Sequence, residues 1–438
     1  MWSGRSTPST PTAAQPAFTQ IDIPMTSDGT TSAWRAPATP GEYYVSEAGA
    51  GAWRAPATPG EYYVPEAGAG TWRAPAAPGE YYVPGLASEY VAQRYGIALA
   101  DIAKLGSAEN PHGASPLART AVLEAMDRLH LYPSWTAEPL RVKLAETFGY
   151  RPEQVICGAG ETEIISLIIR AFCEPGGKIQ MPGPCFPIYH LFAEAEGRVP
   201  VLVHEATDRD SMALDVDAYI AAVEHDTRIV FITNPHSPSG TWLSEADVRR
   251  IIEAAPQALV VLDEAYVHYS NTPGYIHLAQ DYEHVAVLRT FSKAFGLAGL
   301  RVGFGVAARA VIDALLAVKP TWNMGQLQIA GGIAALDDDA HVARTVGTIT
   351  EAKEYVQDRF AALDRFRMVP HSRSNFFLVE ILDRDTDSTK VFNGLLERGV
   401  IVKDGADSWR GLGDRFLRCD VNFKQRMDQL VDALADLD

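Results

Sequence analysis

Two short β-branched runs, RIVFIT (228–233) and ALVVLD (258–263), enclose a helix-patterned stretch, SEADVRRIIEAA, that begins at Ser244. Each run is apolar throughout, as a strand covered on both faces must be, and each ends in turn chemistry. Asp247, three residues after Ser244, completes a capping-box-like helix start. Strand, helix and strand in that order predict an α/β domain with a mainly parallel sheet, which HVAVLRT (284–290) and RVGFGVA (301–307) continue. Beyond about residue 331 the helix EAKEYVQDRFAAL and the strands NFFLVEI and RFLRCDV predict a smaller α+β domain. The expected division is a large domain over 133–330 and a small C-terminal domain over 331–438. Residues 86–132 form an N-terminal segment that contributes to the small domain.

Before Leu86 the texture is different. Residues 1–33 are rich in Ser, Thr and Pro and carry few large aliphatics, so they cannot bury enough surface to offset ordering and are expected to be disordered. Residues 34–85 hold three copies of the phrase WRAPA(T/A)PGEYYV, opening at Trp34, Trp53 and Trp72, each 19 residues after the last. Pro and Gly punctuate every copy too densely for a helix or a ladder. Three readings stand: a flexible extension, a recognition module that docks Trp, Arg and Tyr-Tyr on a peptide or protein partner, and a peptide substrate carried by its own enzyme. Residues 1–84 are expected to lie outside the catalytic core and to be removable without loss of cofactor.

Charge narrows the partners. With 55 acidic against 38 basic residues, a formal charge of -17 and no basic run, a nucleic-acid or anionic-membrane surface is not expected, and small molecules fit better. The N-terminus shows no apolar stretch behind a positive start, and no segment reaches the roughly 18 apolar residues of a spanning helix. The four cysteines form no CxxC pair, so a metal site is not expected and the thiols read as reduced, in a cytoplasmic protein.

The chemistry concentrates in a few strings. RTFSKAFGLAGLRVG (289–303) sets Ser292 beside Lys293, with Arg301 eight residues on, between two strand-like runs and among Phe, Leu and Gly. A lysine so sheltered has its pKa lowered toward nucleophilic competence, although a lysine in a glycine-rich loop is more often a solvated side chain. VVLDEAYVHY (260–269) ends a buried strand on Asp263, with Tyr266 three residues later. The carboxyl ends of parallel strands are where α/β proteins bind ligands, yet without the lysine string Asp263 reads more readily as a helix cap or loop carboxylate. CGAGETEIISLIIRAF (157–172) runs from a glycine turn at Gly160 into an apolar-periodic helix whose free N–H groups suit a phosphate.

These strings resemble the class I and II aminotransferases that depend on pyridoxal 5'-phosphate (PLP), and among them the histidinol-phosphate aminotransferase branch. The resemblance covers about residues 100 to 438 and includes ENPHGASP (109–116) and LYPSW (131–135). It implies the PLP-dependent transferase fold type I with a seven-stranded-type sheet. It makes Lys293 the covalent anchor of the cofactor, pairs Asp263 with the pyridine nitrogen and sets Tyr266 on the 3′-oxygen. Gly160, Glu161, Thr162, Ser292 and Arg301 would hold the phosphate, and Phe186 in PGPCFPIY would stack on the ring. Arg418 in RFLRCDVNF would take the substrate carboxylate as a planar fork. Tyr132 would reach the phosphate of a neighbouring subunit, implying a homodimer with shared sites.

Four positions depart from the family pattern. Glu161 and Thr162 stand where small or Ser/Asp-type residues are usual, and an ionised Glu161 would repel a phosphate, so its backbone and not its carboxylate is expected to face the cofactor. Ser237 in NPHSPSG replaces an Asn that contacts the 3′-oxygen. Lys403 in GVIVKDG replaces an arginine that helps bind a substrate phosphate. Amino-group transfer between an amino acid and a 2-oxo acid is the leading expectation. PLP-dependent decarboxylation, oxygen-dependent oxidation, and a binding or self-substrate role for the repeats stay open beside it.

Overall fold

The computed structural model describes Tyr82, residues 85–203, 206–208 and 212–437. The tail at 1–33 and all of the repeats except Tyr82 and Gly85 lie outside the described residues.

Seven strands form the large sheet: β1 (Val155–Ala159), β2 (Lys178–Pro182), β3 (Val199–Val203), β4 (Thr227–Thr233), β5 (Leu259–Asp263), β6 (Val285–Thr290) and β7 (Val302–Ala307). Their order across the sheet is β1-β7-β6-β5-β4-β2-β3. The pairs from β3 through β6 are parallel, and β7 runs antiparallel to both of its neighbours. The unbroken apolar runs have a direct cause. Val230, Ile232, Val260 and Leu262 enter one core and Ile229, Phe231, Val261 and Leu288 the other, so successive residues of each strand are buried on opposite faces.

Helices α1 (Glu161–Phe172), α2 (Ile188–Ala195) and α3 (Glu245–Ala254) belong to the crossovers. The start of α3 is as the sequence predicts: Ser244 Oγ accepts from the Asp247 N–H at 3.2 Å and donates to its carboxylate at 2.6 Å. β4 and β5 pair in a register that sets Thr233 opposite Asp263, so their carboxyl ends finish level and open onto one edge.

The second sheet follows α4 (Asp339–Phe360) and holds β8 (Phe366–Met368), β9 (Phe376–Ile381), β10 (Lys403–Asp404) and β11 (Phe416–Asp420), antiparallel in the order β8-β9-β11-β10. The N-terminal segment is tied to this part of the molecule. Ala103–Lys104 pairs in parallel with Val400–Ile401, and the Asp420 N–H donates to Leu105 O at 2.8 Å. Residues 106–110 are thereby led from the small sheet to the carboxyl edge of the large one. Among the described residues no helix is long and apolar enough to cross a membrane, and no cluster of His, Cys, Asp and Glu fits a metal ion. All four cysteines are free and buried.

Candidate active site

A cavity of about 400 Å³ opens at the carboxyl edge of β4, β5 and β6, and residues from both sheets line it. Lys293 stands three residues beyond the end of β6, on a loop that antiparallel β7 returns beneath. Its Nζ lies 3.3 Å from Ser107 O and 5.3 Å from the centre of the Tyr266 ring. Burial, then the positive field of Arg418, holds this amine below the usual lysine range. The loop itself is clamped, because Asn110 Nδ2 donates to the carbonyls of Lys293 and Ala294 at 3.2 and 2.9 Å.

Asp263 is the last residue of β5 and is buried. One carboxylate oxygen accepts from the Ala265 N–H at 2.9 Å and the other from the hydroxyl of Tyr189, which also meets Thr233 Oγ1 at 3.1 Å. Tyr189 is a member of the site that sequence reasoning missed. It lies three residues after Phe186, in the first turn of α2, and its place in the same PGPCFPIY string was the available signal. Tyr266 packs edge-on to Phe376 at 4.9 Å, and burial pushes its phenol up to about 12.

The glycine turn before α1 has no room for a side chain. A Cβ on Gly160, whose φ is +78°, would fall 2.2 Å from Arg301 Nη2, and one on Gly303 would fall 2.2 Å from the Glu161 amide nitrogen. The absence of both groups lets the Arg301 guanidinium lie against the turn and lets α1 start directly on β7. Glu163 braces the same turn, accepting from the Ala159 N–H and from Asn323 Nδ2, each at 2.6 Å. Thr162 and Ser292 line the cavity beside it, and Ser292 Oγ accepts from Thr290 Oγ1 at 2.9 Å.

Ser237 also reaches the wall, on a turn held by Asn234, whose side chain exchanges hydrogen bonds with the Leu243 backbone at 2.8 and 3.2 Å. Phe186 lines the cavity, edge-on to Tyr189 at 5.8 Å and to Tyr82 at 6.2 Å. On the small-domain side Lys403 of β10 and Arg418 of β11 are directly opposed across the strand pair, and both are buried. The Arg418 guanidinium lies 4.6 Å from the Phe376 ring centre and 5.1 Å from that of Trp409, and its Nε has no partner among the described residues. Burial, reinforced by Arg418, lowers Lys403 to about 8.

Two placements differ from the sequence reading. The Glu161 carboxyl lines the cavity and lies beside Asp263, with no water to face instead, so the expectation that only its backbone would be presented is corrected. Tyr82 also lines the cavity, under the Lys403 amine at 5.5 Å, so the boundary at residue 84 cuts off part of the wall. Tyr132, whose expected contact is with a neighbouring subunit, is 79% exposed, stacks on Trp322 at 4.7 Å and does not line this chain's own cavity.

The geometry belongs with a known family. The family model for aminotransferase class I and II matches residues 100–434. The histidinol-phosphate aminotransferase of Anaeromyxobacter sp. (strain Fw109-5) is 38% identical over 355 residues, 80% of this chain and 94% of that one. The enzyme of the same name from Geobacillus thermodenitrificans (strain NG80-2) is 36% identical, covering 81% and 94%. Among solved structures, the histidinol-phosphate aminotransferase from Sinorhizobium meliloti in complex with pyridoxal-5'-phosphate superposes with a TM-score of 0.70 at 24% identity, covering 81% and 96%. The fold is that of the type I PLP enzymes. The chain belongs to the class I and II aminotransferases, and is a PLP-dependent enzyme that moves an amino group between an amino acid and a 2-oxo acid.

Proposed function

We propose that Lys293 is the covalent anchor of PLP and the proton carrier of the reaction, and that the donor is an amino compound with an anionic group. The observation that carries this is the enclosure of the Lys293 amine in one cavity with a buried carboxylate on one side and two buried cations on the other. The residues present fit the cofactor. The first N–H groups of a helix have no acceptor of their own, and here they meet Arg301 and Ser292 at a turn without side chains, a ready phosphate cup. Asp263, fixed by Tyr189 and Ala265, would hold a protonated ring nitrogen, and Tyr266 the 3′-oxygen. Ser237 offers that oxygen a hydroxyl and no amide. Phe186 would cover the ring.

When bound, PLP supplies an electron sink for the charge left at the donor's α-carbon. Lys293 Nζ, held below its ordinary pKa, is the base that takes the α-proton and returns it. Arg418 and Lys403 are like charges at facing strand positions on the cavity wall, with Asp420 3.4 Å from Arg418, and together they present a net positive lining. The curated relatives above are named for histidinol phosphate, and a phosphate or a carboxylate suits these two cations. A homodimer with Tyr132 reaching the partner's phosphate cup, in the cytoplasm, completes the reading. A screen of phosphorylated and carboxylated amino donors, followed by cofactor absorbance and product mass, tests it. Turnover of neutral amines alone would contradict it.

A further inference from the structure

Glu161 occupies the first position of α1, where an acidic residue is ordinarily solvated, yet it is 7% exposed, lines the cavity and holds its carboxyl beside that of Asp263. Two carboxylates in contact and out of water cannot both be ionised, since desolvation and mutual repulsion act together on each. Lys293 favours the ionised form of both acids, yet for each it ranks below burial. Arg289 is bound to Glu264 at 2.7 Å, Arg418 lies 3.4 Å from Asp420, Lys293 Nζ is directed to Ser107 O, and the Arg301 guanidinium lies against Gly160. Tyr189 and Tyr266, the other titratable groups facing Glu161, are neutral phenols raised by burial. One proton is therefore shared between the two acids. Its place follows from their other partners: Asp263 already accepts from Tyr189 and Ala265, whereas Glu161 Oε1 has no partner among the described residues.

We propose that Glu161 is the protonated member of this pair and donates its proton to Asp263, making it a positioning residue that sets how much negative charge Asp263 presents at the cavity floor. With a third donor on its carboxylate, Asp263 spreads its charge and is a weaker base than one held by two. The consequence for the cofactor rests on Asp263 facing the ring nitrogen. The shared proton is a property of the chain alone, and is read in the apoprotein.

The sign is fixed by linkage. Burial first, and Asp263 second, raise Glu161 well above the ordinary glutamate range. The folded apoprotein therefore keeps a proton that the unfolded chain releases, and its stability falls as pH climbs through the interval between the two values. Melting of wild-type and Glu161→Gln apoprotein across about pH 5 to about pH 8 is expected to show the wild type losing roughly 2 °C or more relative to the glutamine variant. Infrared spectra of the wild-type apoprotein at neutral pH are expected to show a protonated-carboxyl band, absent in Glu161→Gln. This band also serves if the variant folds poorly. Parallel melting profiles with no such band would overturn the shared proton. An unchanged pH titration of the bound cofactor's absorbance in Glu161→Gln would overturn the positioning role. Failure of Lys293 as the anchor would show separately, in reductive labelling, without touching the apoprotein result.

Discussion

The side-chain amide of Asn110 donates to the backbone carbonyls of Lys293 and its neighbour Ala294, at 3.2 and 2.9 Å, joining the N-terminal segment to the lysine loop across more than 180 residues of chain. The same side chain meets Thr345 Oγ1 at 3.1 Å, so one residue fixes the loop from two directions. Asn110→Ala removes these bonds without changing a charge. Turnover is expected to fall about 10- to 100-fold while cofactor binding is kept, because a base displaced by a fraction of an ångström loses its reach to the α-carbon. Steady-state rates and cofactor absorbance on the same preparation check this.

Behind Asp263, Glu264 and Arg289 form an ion pair at 2.7 Å with both side chains out of water, and Glu264 also accepts from the Tyr275 N–H at 2.5 Å. A buried pair broken on one side leaves the other charge uncompensated. Glu264→Gln or Arg289→Ala is expected to destabilise the protein by about 3–5 kcal/mol, measured by chemical denaturation. An effect near zero would mean that water reaches the pair.

Lys403, which the proposed function sets in the anion site, would give that site a pH dependence of definite sign. Its amine titrates at about 8, lowered by burial, so it is a cation below that pH and neutral above it. KM for an anionic donor is expected to rise as pH climbs through about 8, with kcat changing less. Lys403→Met should raise KM by about 10- to 100-fold at neutral pH and flatten the profile. A profile unchanged in this variant would remove Lys403 from the anion site.

The structure also redraws the useful truncation. Residues from Gly79 to Asp438 cluster as one compact unit, and Tyr82 lies within it at the cavity wall. Removing residues 1–78 is expected to leave folding and turnover intact. Tyr82→Ala, which strips the aromatic face from beneath the Lys403 amine, should raise KM about 3- to 10-fold. Equal kinetics for the truncated and Tyr82→Ala proteins would contradict a separate contribution from Tyr82.

Local chemistry made much of this site readable in the sequence. Lys293, Asp263 and Arg301 sit where a buried run meets a turn, so their neighbours in the chain announce them, and Gly160 is marked by the helix that follows. Other members depend on contacts between distant segments. Tyr189 meets Asp263 and Thr233 only because α2 packs where β4 and β5 end. Glu161 was expected to present its backbone because an ionised carboxylate repels phosphate, and the packed fold instead turns a carboxyl toward Asp263. Tyr82 belongs to a repeat phrase with two near-identical copies upstream, and nothing in that phrase marks a tyrosine as a cavity residue. For Tyr132 the expectation of a contact with a neighbouring subunit came from family likeness alone, since no pattern in a single chain expresses it.

The most direct test is reductive trapping of the cofactor. Borohydride treatment of the loaded enzyme, followed by peptide mass mapping, is expected to place a single pyridoxyl adduct on Lys293, and Lys293→Ala is expected to show no adduct and no turnover while remaining folded. A pyridoxyl group recovered on any other lysine, or full turnover without Lys293, would contradict the assignment on which the site rests.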